Sequence, residues 1–298
     1  MGKANKVVII GGDARQIEIA ESLLADGNEV FLLGFDQWMR NVAGISKAVS
    51  DTDVPWSELD AVLLPVSGLK SDNKVEACFS SKELILQESW LKKTPQNCLV
   101  MSGIHTNELE TVINTVKRPL IKLLERDDVA IYNSIPSAEG TLLMAMQETD
   151  ITIHKSNTVI LGFGRTGQTI ARTFSVLGAY AKVGTIHPSE KARAEAMGLE
   201  TFELEDLPAV VQSADLCINS IPAMVLPEDI LIHFPVHSVI IDIASPPGGT
   251  DFEYAKKRGI KAILAPGLPG VVAPKTAGRI LAKVISQLLG ENQVEKEA

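Results

Sequence analysis

An apolar run, Thr158-Val-Ile-Leu161, breaks on Gly162-Phe-Gly164-Arg165-Thr166-Gly167 and resumes as a helix-periodic stretch carrying Ile170, Ala171 and Phe174. No other feature limits the fold as much, because each glycine has a geometric task in a strand-turn-helix unit. Gly162 makes the tight turn, Gly164 lets backbone come close to a diphosphate, and Gly167 allows the helix to lie against the strand. The opening turn of a helix also presents N–H groups with no acceptor of their own and a partial positive charge, both suited to an anion. The spacing therefore predicts a parallel β-α-β sheet with a dinucleotide held by Gly162, Gly164, Arg165, Thr166 and Gly167.

The rest of the chain keeps this rhythm. Its 298 residues suffice for two domains sharing a cleft, and short apolar runs alternate with amphipathic segments throughout. Strands are expected at 7–10, 30–33, 61–65, 98–102 and 120–124, then at 158–161, 181–184, 216–220, 239–243 and 262–265, with a short one at 200–202. Residues 15–25 place Ile17, Ala20, Leu23 and Leu24 on one helical face, and Thr106 can cap a helix whose first turn carries Glu108 and Glu110. Residues 35–60 are too irregular for an assignment. A helix is expected to begin after Pro136 and to cross into the second domain, with the boundary near Asp150. A last helix from about Lys275 aligns Ile280, Leu281, Val284, Ile285 and Leu288 in one stripe that should pack back on the first domain, and the polar end from Glu291 is expected to fray. The expected fold class is α/β, with two doubly wound parallel-sheet domains. Residues 1–150 are expected to form a flavodoxin-like substrate domain and 151–273 a Rossmann dinucleotide-binding domain. Residues 274–298 are the C-terminal helix returning to the first domain.

Composition narrows the function classes. Lys and Arg number 28 against 37 Asp and Glu, and this net charge of -9 repels a polyphosphate backbone, so nucleic acid is not an expected partner. Cys78, Cys98 and Cys217 are scattered without a C-x-x-C pair, which predicts reduced thiols and no metal. Met1-Gly2-Lys3 leads almost directly into a strand, and no apolar run approaches about eighteen residues. A cytoplasmic chain without a membrane partner is expected.

An NAD site usually places Asp or Glu about twenty residues past the glycine turn, where it holds the ribose 2'-hydroxyl. Here the chain reads Val183-Gly-Thr185-Ile186-His187-Pro-Ser189, with no acid before Glu190. A carboxylate would repel a 2'-phosphate, so its absence favours NADP over NAD, with Thr185, His187, Ser189, Lys191 and Arg193 as donors or charge. Ligands in such sheets bind beyond the carboxyl ends of the strands, and the residues there are small and polar. They are Ser67-Gly68, Ser102-Gly103 and Asn133-Ser134 in the first half, and Asn219-Ser220-Ile221-Pro222, Ala244-Ser245-Pro246 and Gly267-Leu-Pro-Gly270 in the second. Turn chemistry alone accounts for part of this pattern; a nicotinamide or a small polar substrate would use the same groups. Thr185, Ile186, His187, Ser220, Ile221, Pro222, Ser245 and Gly270 complete the expected cofactor set. Gly11-Gly12-Asp13-Ala14-Arg15 is a second glycine turn lacking the third glycine, and Arg15 there either holds a carboxylate or sits in a salt bridge. Arg126 and Lys275 are further cations for an anionic substrate. Glu139 and His105 are the candidate acid/base groups, although a glutamate near a helix start also serves the dipole.

Four segments carry a resemblance: Val8-Ile-Ile-Gly-Gly-Asp-Ala-Arg-Gln16, Glu125-Arg-Asp-Asp-Val-Ala-Ile-Tyr-Asn-Ser-Ile-Pro136, Leu161-Gly-Phe-Gly-Arg-Thr-Gly167 and Ala265-Pro-Gly-Leu-Pro-Gly-Val-Val-Ala-Pro-Lys-Thr-Ala-Gly278. In order and in both halves, they closely resemble the family of A-type subunits of dipicolinate synthase. The resemblance implies a sporulation oxidoreductase of the mother-cell cytoplasm, working beside the flavoprotein-like B-type subunit of dipicolinate synthase. Its implied substrate is a dihydro- or 4-hydroxytetrahydrodipicolinate of the lysine pathway, oxidised to dipicolinate with NADP as acceptor. The two ring carboxylates of such a small dicarboxylate need cationic or N–H partners, for which Arg15, Ser102, Asn133, Ser134 and Lys275 are the candidates. Family members are expected to carry a basic residue in the turn after the second strand of the cofactor domain, where this chain has Ile186 and His187. A homo-oligomer is expected. Two other readings compete. A D-2-hydroxyacid or alanine dehydrogenase-like enzyme shares the two-sheet layout, but needs an Arg and His-Glu constellation that Asp242-Ile-Ala-Ser245 does not begin. A non-catalytic dinucleotide sensor would bind cofactor without turnover.

Overall fold

The computed structural model describes residues 4–297, and side chains as far as Val294. Two compact units emerge: residues up to Val129 together with those from Pro274 form the first, and Ala130–Ala273 the second.

The strands of the first unit are β1 (Lys6–Ile10), β2 (Glu29–Leu33), β3 (Ile45–Ala48), β4 (Ala61–Leu63), β5 (Lys74–Val75), β6 (Leu84–Ile85), β7 (Leu99–Ser102) and β8 (Leu120–Lys122). Six of them make one sheet in the order β3-β2-β1-β4-β7-β8, parallel at every pairing, while β5 and β6 pair antiparallel on their own. The reason β1 reads as an unbroken apolar run is that both its faces are covered. Val7 and Ile9 join a cluster with Ile19 and Leu23 of the Ala14–Ala25 helix, whereas Val8 and Ile10 join Val62, Val100, Leu109 and Val112 on the other side. Burying each such side chain fully stabilises the fold by about 1.5–3 kcal/mol. Thr106 caps the Asn107–Val116 helix, its hydroxyl accepting from the Leu109 N–H at 3.3 Å.

Two expectations for this unit need correction. The sheet has six strands and not five, because β3 forms inside the segment that has no sequence assignment. Without β3 the order would match the flavodoxin-like 2-1-3-4-5; with it at the edge beyond β2, the order becomes the dinucleotide-fold 3-2-1-4-5-6, so the flavodoxin-like label does not hold. The last helix, Pro274–Glu297, does return to this unit: Leu281, Ala282, Val284, Ile285 and Leu289 lie in the cluster that holds Val7 and Ile9. Gly278 permits the close approach, since a Cβ there would stand 2.8 Å from the Arg15 carbonyl oxygen. The helix continues past Glu291 to Glu297, and Ala298 lies outside the described residues.

The second unit repeats the topology. Its strands β9 (Asn157–Leu161), β10 (Tyr180–Gly184), β11 (Glu200–Phe202), β12 (Leu216–Asn219), β13 (Val239–Asp242) and β14 (Lys261–Leu264) are ordered β11-β10-β9-β12-β13-β14, again all parallel. One face buries Ile160, Ile218 and Ile241 against Ile170 and Phe174, and the other buries Val159, Leu161, Cys217 and Ile240 against Leu207, Val211 and Phe234.

The connecting helix departs from the sequence reading. It spans Asp127–Glu148 with Pro136 inside it, where the sequence reading starts a helix only after Pro136. Proline there removes one N–H from the helical ladder. Neighbouring hydroxyls turn back onto the helix: Ser134 donates to the Ile131 carbonyl at 2.6 Å, Ser137 to Asn133 at 3.0 Å and Thr141 to Ser137 at 2.8 Å. Ala138 and Ala145 of this helix sit in the second unit's core, which moves the division from the expected Asp150 to Val129 and Ala130.

Candidate dinucleotide site

At the end of β9 the backbone of Gly162 takes φ +89°, a left-handed value that a side chain would strain, and its N–H donates to the Gly184 carbonyl at 2.9 Å. A Cβ on Gly162 would lie 2.7 Å from the Ser220 hydroxyl, and one on Gly167 would lie 2.2 Å from the Gly162 carbonyl oxygen. These two glycines are therefore packing glycines, closing the Arg165–Val176 helix onto the strand. Gly164 differs. It precedes the helix in an extended conformation, and a Cβ there would meet nothing within 4 Å. That open cradle before a helix start, with Arg165 exposed and Thr166 half-buried in the first turn, fits the diphosphate of a dinucleotide.

The surrounding loops are held by their own polar groups. Ser220 donates its hydroxyl to the Leu161 carbonyl at 2.9 Å, tying the end of β12 to the end of β9. Buried Asn219 folds its amide over the next turn, accepting from the Ile221 N–H at 3.0 Å and donating to the Ile221 carbonyl at 3.1 Å. Buried Asp242 accepts from the N–H groups of Ala244 at 3.1 Å and Gly249 at 2.8 Å and from the Thr250 hydroxyl at 2.7 Å. Ile221 is half-buried, while Pro222 and Ser245 are exposed, Ser245 just before the cis Pro246–Pro247 bond. Gly270 belongs to the short Leu268–Val272 helix and not to a loop.

At the end of β10, sequence reasoning missed a residue. Glu190, in the Pro188–Ala196 helix, turns back so that its Oε2 accepts from the Thr185 hydroxyl at 2.5 Å and from the Phe163 N–H at 3.3 Å. A carboxylate thus sits on the glycine turn itself. The signal available in sequence was an acid in the first turn of the helix after the second strand, close enough to reach back across Thr185. Ile186 and His187 are both exposed, the latter just before that helix, and Lys191 is paired with Glu203.

The glycine turn of the first unit is filled by its own chain. The Cys78 N–H donates to the Gly12 carbonyl at 2.9 Å, and a Cβ on Gly11 would lie 2.6 Å from the Glu76 carbonyl oxygen. Asp13 and Gln16 close a capping box over the helix start, and the Arg15 guanidinium grips the Asp13 carboxylate, Nη2 to Oδ2 at 2.6 Å. Arg15 therefore takes the salt-bridge alternative. Ser102 and Ser134 are also corrected as substrate groups, because both are buried with engaged hydroxyls. Ser102 donates to the carbonyls of Pro65 and Ile104, and Ser134 pairs with the Thr169 hydroxyl at 2.6 Å in addition to its bond to Ile131. Asn133 is half-buried on the connecting helix, and Lys275 is exposed near the start of the last one. Glu139 is exposed twelve residues past Asp127 in the connecting helix, far from its first turn, so the dipole role considered for it has no basis. His105 places Nδ1 3.0 Å from a Glu125 carboxylate oxygen. Among the described residues there is no cluster of His, Cys, Asp and Glu able to hold a metal, and no helix long and apolar enough to cross a membrane.

Residues 6–124 match the family model of the N-terminal domain of the dipicolinate synthase A-type subunit. The A-type dipicolinate synthase subunit of Bacillus subtilis (strain 168) is 49% identical over 291 residues, 98% of each chain. The crystal structure of the corresponding dipicolinate synthase subunit from Bacillus halodurans is 50% identical and superposes with a TM-score of 0.91, covering 96% of this chain and 97% of that one. An L-alanine dehydrogenase, 16% identical with a TM-score of 0.60 over 97% of this chain and 92% of that one, shares the fold alone.

Proposed function

Since the chain belongs to the family of A-type dipicolinate synthase subunits, we propose that it oxidises a partly reduced pyridine dicarboxylate to dipicolinate, with hydride passing to a nicotinamide dinucleotide held at Gly162–Gly167. The observation that carries this reading is the open cradle at Gly164, set between two glycines whose own surroundings are closed. When bound, the nicotinamide would accept the hydride, and aromatisation of the substrate ring drives the reaction. The chain's own work is then mostly alignment and exclusion of water.

The first-turn N–H groups of the Arg165–Val176 helix and the Arg165 side chain would hold the diphosphate. Ser220, Ile221 and Pro222 after β12, and Ser245 after β13, stand at the carboxyl ends of strands, where the nicotinamide would lie. Lys275 and Asn133 keep accessible donors for the ring carboxylates, whereas Arg15 would have to share its pairing with Asp13. The proton released with the hydride needs an acceptor. His105, oriented by Glu125, is the better candidate, and Glu139 is the other. A substrate that still carries a 4-hydroxyl would lose water as well, with the same groups as acid and base.

The reading extends, on family grounds, to sporulation in a mother-cell cytoplasm, to the lysine pathway as source of the substrate, to the B-type subunit of dipicolinate synthase as partner and to self-association. NADP is the acceptor that the family resemblance implies; the position of Glu190 favours NAD as a second reading. The test is to mix the purified chain with enzymatically prepared dihydrodipicolinate and either dinucleotide, with and without the B-type partner, and to follow the reduced-nicotinamide absorbance. A rate above background is expected. Its absence in every mixture would remove the enzyme reading and leave a dinucleotide sensor.

A further inference from the structure

We infer that Glu190 makes this site select a dinucleotide whose adenosine ribose has a free 2'-hydroxyl, so that NAD is held in preference to NADP. This rests on the dinucleotide reading of the Gly162–Gly167 turn.

In the dinucleotide fold an acid at the end of the second strand takes the ribose hydroxyl. The sequence between Gly184 and Glu190 has none, yet the fold delivers one from the following helix. Thr185 directly follows β10 and Phe163 lies between the first two glycines, and the Glu190 carboxylate bonds to both. Thr185 is buried, and its oxygen also accepts from the His187 N–H at 3.2 Å, which directs its own hydrogen toward Glu190. Both bonds fall on Oε2, which leaves Oε1 to accept from a sugar hydroxyl. A 2'-phosphate would bring a second anion against this carboxylate.

The groups that could draw such a phosphate in are poorly arranged. Ile186 is apolar and 67% exposed at the position where the resemblance implies a basic side chain. Lys191 is engaged by Glu203, and Arg193 is exposed further along the same helix. His187 is exposed and stands just before the helix that carries Glu190.

Isothermal titration of the full-length chain with NAD and with NADP, in the same buffer and without substrate, reads the selectivity apart from turnover. The wild-type chain is expected to bind NAD at least about tenfold more tightly, a difference of about 1.4 kcal/mol. Glu190→Gln keeps the shape and a partner for Thr185 but removes the charge, and should shift the NAD-to-NADP ratio toward NADP by about tenfold. Ile186→Arg, at an exposed position that leaves the turn intact, should shift it the same way through added charge. Wild-type chain that binds NADP as tightly as NAD overturns the inference, as does an unchanged ratio in a folded Glu190→Gln chain. Wild-type chain that binds neither dinucleotide refutes the site reading itself, a separate outcome.

Discussion

Valine at Gly167 and valine at Gly164 should have opposite consequences, although the two glycines are three residues apart in one motif. A Cβ at position 167 would stand 2.2 Å from the Gly162 carbonyl oxygen, when real Cβ atoms stay beyond 3.0 Å, so helix and strand must separate by roughly 1 Å. Overpacking of this kind costs about 3 kcal/mol, offset by only a few tenths from replacing glycine in a helix with a β-branched residue. For a unit of this size that lowers the melting temperature by roughly 6–12 °C. At position 164 the same side chain enters open space on an extended backbone and should cost under about 1 kcal/mol. It would occupy the cradle, raising the dinucleotide Kd tenfold or more, about 1.4 kcal/mol. Scanning calorimetry and titration calorimetry on both variants separate the two effects. The reasoning is refuted by a Gly167→Val chain that melts with the wild type, or by a Gly164→Val chain that binds dinucleotide normally.

Three further outcomes follow from the geometry. Asp242→Ala strands the buried N–H groups of Ala244 and Gly249 and the Thr250 hydroxyl, and should lower unfolding stability by about 3 kcal/mol in urea; an unchanged midpoint would deny that carboxylate its role. Of the three cysteines only Cys78 is exposed, and burial pushes the Cys217 thiol far up, so native protein should react with one equivalent of a thiol reagent and unfolded protein with three. Rapid labelling of two or three thiols in the native state would contradict this. Finally, hydrogen bonds from Ser81 and Gln37 hold the Asp36 carboxyl down at about 2 against an ordinary 3.8. Its folded value is the lower one, so its stabilising effect is present above about pH 4 and is lost as pH falls toward about 2. Asp36→Asn should flatten that part of the melting-temperature profile, and an identical profile would exclude the effect.

The glycine turn was legible as a strand-turn-helix because glycine tasks are local: Gly162 turns with a positive φ, Gly167 lets the helix close on the strand, and Gly164 is left open between them. The last helix was legible for a similar reason, its stripe through Leu281, Val284 and Ile285 allowing only burial. Strand β3 was not, since Ile45-Ser-Lys-Ala48 lies at a sheet edge, only partly buried, and carries no apolar run. Pro136 hid the start of the connecting helix, because proline more often marks a boundary than an interior position. Ser102 and Ser134 looked like ligand groups from their residue types, and only three-dimensional packing reveals the carbonyls and hydroxyl they satisfy. Glu190 was overlooked because the expected acid belongs to the strand end, and nothing in linear order says that a helical side chain will reach back across Thr185.

The first unit is interrupted: Ala130–Ala273 is inserted between its two pieces, and its core is completed only by Leu281 to Leu289. On the ribosome the inserted body has all its residues before the host has its own, so the part begun first is finished last. Until the closing helix emerges, Ile9, Ile19 and Leu23 lack the side chains that complete their cluster, so the first unit cannot close its core before the second has been synthesised.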